Sequence, residues 1–262
     1  MISIRRFLEQ SWLNFKGKQA AFDLQEFVFL QTAYPIITLI FYCVIASYSF
    51  QTASLTRWVV GNSFLLCVNT CIFGLGMGFT GDRQNGRIRS IIVSPENKLL
   101  VVLESGFISS FMAMAMSLFG FFVGSLIFGV DFSGIHIGLF ILITFIAMVS
   151  ATGFGLLLSA FGLLNDSMHF ILNTVSYLLI IFSGANFPVE QLPKATQFIS
   201  KLIPLTRSIK AANMLFDEID VAQLIRLLLS EMALGVIYIL IAAVIIRIVE
   251  RIAIRKATLE VF

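Results

Sequence analysis

Six stretches of the chain stay apolar for the length of a membrane crossing. A bilayer core of about 30 Å takes roughly 20 mostly apolar residues per helix. Runs of that kind, bounded by charged or turn residues, extend from Phe27 to Ser49, Val59 to Phe79, Leu99 to Phe128, His136 to Phe161, Met168 to Ser183 and Gln223 to Ile246. The fifth is the shortest. Gly184-Ala185-Asn186-Phe187-Pro188 after it breaks any straight helix, because Pro188 has no amide proton and pushes Phe187 out of helical geometry. Ahead of the first run, Ile4, Phe7, Leu8, Ser11, Trp12, Phe15 and Phe22 follow helical spacing, while Arg5, Arg6, Glu9, Lys16 and Lys18 fall mostly elsewhere on the wheel. Residues 1–26 therefore read as an amphipathic helix lying in the membrane surface, either a plain anchor or a lever that carries force into the first crossing.

Between the fifth and sixth runs, Phe198, Ile199, Leu202, Ile203, Leu205 and Ile209 make residues 184–222 too apolar for a free loop. The pattern predicts a re-entrant or interfacial helical hairpin over the outer mouth, acting as a gate or as a static lid. Pro188, Pro193 and Pro204 set its bends, with Gly184 and Phe187 at its start. The expected class is all-α: a polytopic membrane protein whose residues 27–262 form a six-helix transmembrane domain with an N-terminal amphipathic helix and an external re-entrant hairpin.

Composition agrees. Of 262 residues 58% are hydrophobic and 13% charged, against about a quarter charged in soluble domains, so the surface faces lipid. A net charge of +3, scattered over short loops, excludes nucleic acid as the partner. The first run is too long for a signal-peptide core and lacks a small-residue cleavage pattern, so no cleavable signal is expected. Cys43, Cys67 and Cys71 fall inside apolar runs, and C-x3-C is neither a zinc nor a redox spacing; they read as packing residues, with no metal site. With the N-terminus inside, twelve Lys and Arg lie on the cytoplasmic side and six outside, which predicts cytoplasmic termini.

Catalytic chemistry finds little support. His136 and His169 are the only histidines and fall on opposite faces of the membrane, so they cannot share a site within one chain. Gly76, Gly78 and Gly81 satisfy G-x-G-x-x-G, yet no strand leads into them. Gly74 with Gly78, and Gly120 with Gly124, read instead as G-x-x-x-G helix-packing points. Glu104 and Glu231 are the carboxylates within the crossings; a buried carboxylate needs a partner or water, and Arg226 lies five residues before Glu231, off its face.

The loop between the second and third runs, within residues 80–98, is charged, then alternately basic and apolar, then stopped by proline: Gly81-Asp82-Arg83-Gln84-Asn85-Gly86-Arg87-Ile88-Arg89-Ser90-Ile91-Ile92-Val93-Ser94-Pro95. As a short surface helix it directs Ile88, Ile91 and Ile92 to the bundle and Arg83, Arg87 and Arg89 to the cytosol; the alternative is a basic turn that only sets topology.

This loop resembles the coupling-helix motif of the type-two ATP-binding-cassette permeases: an acidic residue, Arg, an acidic residue, any residue, Gly, Thr, Leu, Glu, then Val-Ser-Pro. Asp82, Arg83, Gly86, Ile88, Val93, Ser94 and Pro95 match; Gln84, Arg87 and Arg89 depart from it and make the loop more basic. Phe182-Ser183-Gly184, Phe187-Pro188, Leu192-Pro193 and Pro204-Leu205-Thr206 are similar to the family's last external segment. With the N-terminal helix and six crossings, the resemblance spans essentially the whole chain. It implies a dimer with a second copy or a homologous permease, and a separate nucleotide-binding subunit that holds ATP and Mg. No G-x-x-x-x-G-K-[ST] occurs, and Gly17-Lys18-Gln19 lacks both its glycine spacing and its hydroxyl, so no cofactor is expected in this chain. Coupling is then assigned to Asp82, Arg83, Gly86, Arg87, Ile88, Arg89 and Pro95, assisted by the N-terminal helix.

The resemblance also implies a route lined by the second and fifth helices. Asn62, Ser63, Asn69 and Thr70 recur seven apart on the second, and Asn173, Ser176 and Tyr177 share a stripe on the fifth; both sets equally suit interhelical hydrogen bonding. An interior of amides and hydroxyls with few fixed charges suits an amphiphile such as a drug, an antimicrobial peptide or a lipid. The expected function is the membrane subunit of an ATP-driven exporter in a bacterial cell membrane. Its rivals are a polysaccharide or lipid-linked glycan exporter and, in another class, an ATP-independent channel or secondary transporter, for which no internal repeat is seen.

Overall fold

A computed structural model of the chain describes residues 4–19, 29–50, 54–84, 86, 98–131, 134–162, 167–217 and 219–256. Among them every regular element is helical. In chain order these are α1 (Ile4–Gln19), a π turn (Phe29–Ala33) leading into α2 (Tyr34–Phe50), α3 (Thr56–Leu65), a second π turn (Val68–Gly74), α4 (Gly78–Gln84), α5 (Lys98–Phe128), α6 (Ile137–Phe161), α7 (Met168–Phe182), a 3-10 turn (Val189–Gln191), α8 (Lys194–Leu202), α9 (Thr206–Met214) and α10 (Val221–Lys256).

Among the described residues four spans are long and apolar enough to cross a bilayer, namely Thr56–Asp82, Gly106–Phe128, Ile137–Gly162 and Val221–Val249; α2 and α7 are shorter apolar helices. The six apolar runs thus each become a helix, and the chain is a multi-pass membrane protein. Two boundaries differ from expectation. The second run is broken by the π turn and continues past Phe79 to Gln84, so Asp82 and Arg83 end a helix rather than open a loop. The sixth extends to Lys256 instead of stopping near Ile246.

α6 is the central helix, and small residues make it so. A Cβ on Gly153 would lie 2.6 Å from the Gly235 carbonyl oxygen, and one on Gly235 would lie 2.9 Å from Ser150 Cα, so α6 and α10 cross in backbone contact. Two residues further, about 200° around the helix, Gly155 meets the Cys71 carbonyl oxygen of the second π turn, where a Cβ would stand at 2.0 Å. Gly120 and Gly124 of α5 likewise accept Leu66 and Val59, the close packing expected of a G-x-x-x-G pair. Rings of Phe64, Phe121 and Phe140 stack edge-on at 5.3 and 4.4 Å and tie α3, α5 and α6 together. Cys43, Cys67 and Cys71 are buried free thiols.

α1 docks on α5 through Phe7, whose ring lies 5.3 Å from that of Phe107, and through fully buried Ser11. Leu8, Trp12 and Leu13 stay exposed, and Lys16 sits 5.3 Å above the Trp12 ring. The helix therefore presents one edge to the bundle and a second apolar edge outward, rather than a single apolar face.

Candidate functional site

α2, α3 with the second π turn, and α7 enclose a cavity of about 360 Å³. Its polar lining comes from Asn62 of α3, Asn173, Ser176 and Tyr177 of α7, and Tyr34, Thr38 and Tyr42 of α2; apolar side chains such as Leu39, Leu65, Leu66, Phe73 and Ile180 line the rest. Among the described residues no charged side chain lines it. Four of the seven residues singled out on the second and fifth crossings therefore meet on one cavity. Thr70 does not: it is buried outside the cavity lining, and among the described residues its hydroxyl has no hydrogen-bond partner. Two heptad-spaced positions share a face only along an unbroken α-helix, and the π turn at Val68–Gly74 intervenes between 62–63 and 69–70. Asn69 stands on that turn, and its side chain lies outside the described residues. The α2 contribution was missed, although Tyr34, Thr38 and Tyr42 repeat every four residues and so mark one helical face.

Asn62 has a second role. Its Nδ2 donates to Asn186 Oδ1 at 3.0 Å and to the Trp58 carbonyl at 2.9 Å, while Trp58 Nε1 donates to the Asn186 carbonyl at 3.1 Å. Gly61 packs against Ala185, where a Cβ would lie 2.5 Å from Cα. The Ser183–Asn186 stretch is thus buried and pinned to α3. Gly184 makes this possible: at φ +83 it ends α7 in the left-handed conformation that reverses the chain.

Beyond it comes the hairpin. Pro188 precedes the 3-10 turn, Pro193 precedes α8, and buried Pro204 lies in the bend between α8 and α9. Phe187 is exposed, as are Phe198 and Leu202 on α8, whereas Ile203, Leu205 and Ile209 are buried. The bend is held from α10: the Leu205 amide donates to Glu231 Oε1 at 2.7 Å, Arg207 Nη1 lies 3.8 Å from Glu231 Oε2, and the Tyr238 hydroxyl donates to the Leu202 carbonyl. The partners of Glu231 therefore include a backbone amide, an arginine 24 residues upstream and Ser150 of α6, rather than Arg226.

Between the hairpin and the start of α3 lies a second, charged cavity of about 340 Å³, lined by Arg57, Gly184, Glu190, Arg207, Lys210 and Asp217 among others. Lys210 Nζ donates to Glu190 at 2.7 Å, and that bond chiefly holds the Glu190 carboxyl below its ordinary value of 4.5. A lowered carboxylate pKa contributes stability above the unfolded value and loses it as pH falls through the folded one. Both groups are about half exposed, so Lys210→Gln is expected to cost less than about 1 kcal/mol at neutral pH. Thermal unfolding followed between neutral and acid pH checks this: the difference from the parent shrinks once the solution is acid enough to protonate Glu190.

At the other end of the second span, Gly86 follows α4 with φ +68 and is exposed. Asp82 and Arg83 occupy the last turn of α4, the Arg83 side chain being undescribed. Arg87, Ile88, Arg89 and Pro95 lie outside the described residues. His136 and His169 are exposed at the starts of α6 and α7, at opposite ends of α6.

The family model described as ABC-2 type transporter matches residues 3–216. The chain belongs to that family. As an ABC-2 membrane domain it is a permease subunit of an ABC transporter, a transport component rather than a catalytic domain. No curated protein matches it. The matched residues take in the cavity of the permease, the pinned Ser183–Asn186 stretch and the hairpin, and stop before α10.

Proposed function

We propose that this permease is the membrane subunit of an ATP-driven exporter of amphiphiles such as drugs, antimicrobial peptides or lipids. The observation that carries the reading is the cavity of about 360 Å³ between α2, α3 and α7, uncharged among the described residues, in which two amides, five hydroxyl groups and aromatic rings share a lining with aliphatic side chains. Such a surface accepts hydrogen-bonding amphiphiles without the cost of burying a charge. Asn173 and Tyr177 are exposed on α7 within an apolar helix, where lipid is a poor neighbour for an amide. That favours a second permease, a copy or a homologue, across the cavity mouth. The tyrosines Tyr34, Tyr42 and Tyr177 give a glycan exporter its footing as a second reading, since their rings and hydroxyls also suit sugars.

Energy enters from a separate ATP-hydrolysing subunit that carries ATP and Mg, through the turn after α4. Both termini and this turn are cytoplasmic; the hairpin is external and gates the outer end of the route. Gly86 gives the coupling assignment a sharp probe. Proline fixes φ near −65°, incompatible with the φ of +68° observed there. With the complex in proteoliposomes, Gly86→Pro, and separately Arg87→Glu with Arg89→Glu, are expected to leave ATP hydrolysis in place while lowering substrate export by about tenfold or more. Undiminished export in both variants, or export by the permease without any ATPase, overturns the reading.

A further inference from the structure

Glu231 is fully buried in α10, ten residues inside a span that crosses the membrane. A carboxylate in that setting is costly and persists only where partners hold it. Its backbone-amide and arginine partners belong to one object, the bend between α8 and α9, while Ser150 of α6 lies against the carboxylate from the other side. Oε1 accepts the Leu205 amide, and Arg207 faces Oε2 while its Nη2 reaches back to the Lys201 carbonyl at 2.7 Å, so one guanidinium joins the carboxylate to the end of α8. Leu205 is held at φ +73, a left-handed conformation that a leucine adopts only under constraint. It is the residue before α9, so the carboxylate also sits where the partial positive charge of the α9 N-terminus is greatest. One turn or two along α10, Tyr238 secures Leu202 on the other side of the bend. The other pinned stretch, Ser183–Asn186, is fastened to α3 instead. Between the two anchorages lie the 3-10 turn at Val189–Gln191 with its flanking prolines, tied to α9 by the half-exposed Lys210–Glu190 pair, and then α8.

We propose that Glu231 is the positioning residue of the hairpin: its carboxylate latches the Ile203–Leu205 bend to α10, so that α8 and α9 travel with α10 while Ser183–Asn186 travels with α3, the joint between them being residues 187–193. The proposal deepens the reading of the hairpin as a gate and rests on it for its role in transport, but not for the latch itself. Glu231 stands beyond residues 3–216, to which the family model matches, so the latch is argued from this chain's own geometry.

Amide hydrogen exchange on the full chain in lipid nanodiscs tests it. Glu231→Ala is expected to accelerate exchange across 203–209 by about tenfold or more, with residues 140–158 of α6 unchanged. Glu231→Gln keeps an acceptor oxygen for Leu205 but loses the charge facing Arg207, and is expected to accelerate exchange less. Arg207→Gln accelerates it in the parent and adds less on the Glu231→Gln background than it does alone, the remainder being its bond to the Lys201 carbonyl. Parent-like exchange in Glu231→Ala overturns the latch, and so does acceleration spread equally over 140–158, which marks a general packing residue. Should Glu231→Ala fail to accumulate, Glu231→Gln combined with Tyr238→Phe decides on the same two criteria. Export measured on the same variants separates latch from gate: a released bend with unchanged export keeps the latch and overturns the gate.

Discussion

Gly155→Ala is expected to leave little folded permease in the membrane, although it adds a single methyl group. Built on the backbone of α6, that methyl would stand 2.0 Å from the Cys71 carbonyl oxygen, 3.1 Å from its carbon and 3.2 Å from Leu75 Cβ. Carbon–oxygen contacts settle at about 3.3–3.6 Å, so α6 and the second π turn must separate by more than an ångström. No flexible side chain tip is available to yield, because the obstructing atoms are backbone. The opposite face of α6 cannot retreat either, since Gly153 there is already against the Gly235 carbonyl. Overpacking typically costs about 1–3 kcal/mol where side chains can adjust; with backbone on both sides the cost is expected at or above the upper end, a large share of a total stability of about 5–15 kcal/mol. Gly138→Ala on the same helix is the control. Nothing lies within 4 Å of its Cβ position, so alanine there is expected to be neutral or to stabilise by up to about 1 kcal/mol through helix propensity. Yield of monodisperse protein in detergent and the thermal midpoint of the two variants should move in opposite directions, and a Gly155→Ala protein as stable as the parent contradicts the close crossing.

That crossing shows which parts of the fold could be read from residue order and which could not. Run length located all six apolar helices, because a lipid-facing helix has to be apolar along its whole length whatever it packs against. That the segment after the fifth run folds as helices was legible for a related reason: Ile203, Leu205 and Ile209 have to be buried somewhere. The π turns at Phe29–Ala33 and Val68–Gly74 have no comparable signature, since they add a residue to a turn without changing its composition. The turn at Val68–Gly74 redirected the seven-residue polar repeat of the second span, and Asn62 reached the cavity where Thr70 did not. The coupling to Glu231 was hidden more deeply. A carboxylate that accepts a backbone amide selects no residue type at the donor, so nothing at Leu205 announces the contact from 26 residues away. Arg207 could have been weighed as the countercharge, but only a hairpin folded back onto α10 brings it within reach.

Asn62→Ala and Asn173→Ala are expected to separate the two tasks that meet at the cavity. Asn62 is buried, and its amide supplies the donor to Asn186 Oδ1. Removing it leaves that oxygen without its hydrogen bond in a buried setting, at a cost of about 1–3 kcal/mol, and frees the Ser183–Asn186 stretch from one of its two polar ties to α3. The thermal midpoint should fall, and exchange at Ala185 and Asn186 should rise. Asn173 is exposed, and its amide donates at 2.7 Å only to the His169 carbonyl of its own helix. Its loss strands no other side chain, so stability is expected to stay within about 0.5 kcal/mol of the parent. If the cavity lies on the route, export of a substrate that uses this amide falls about two- to tenfold, the worth of one neutral hydrogen bond. An Asn173→Ala permease that matches the parent in both stability and export for every substrate moved would take the cavity off the route. Asn62→Ala would then report only on the fastening of α3 to the chain that leads into the hairpin.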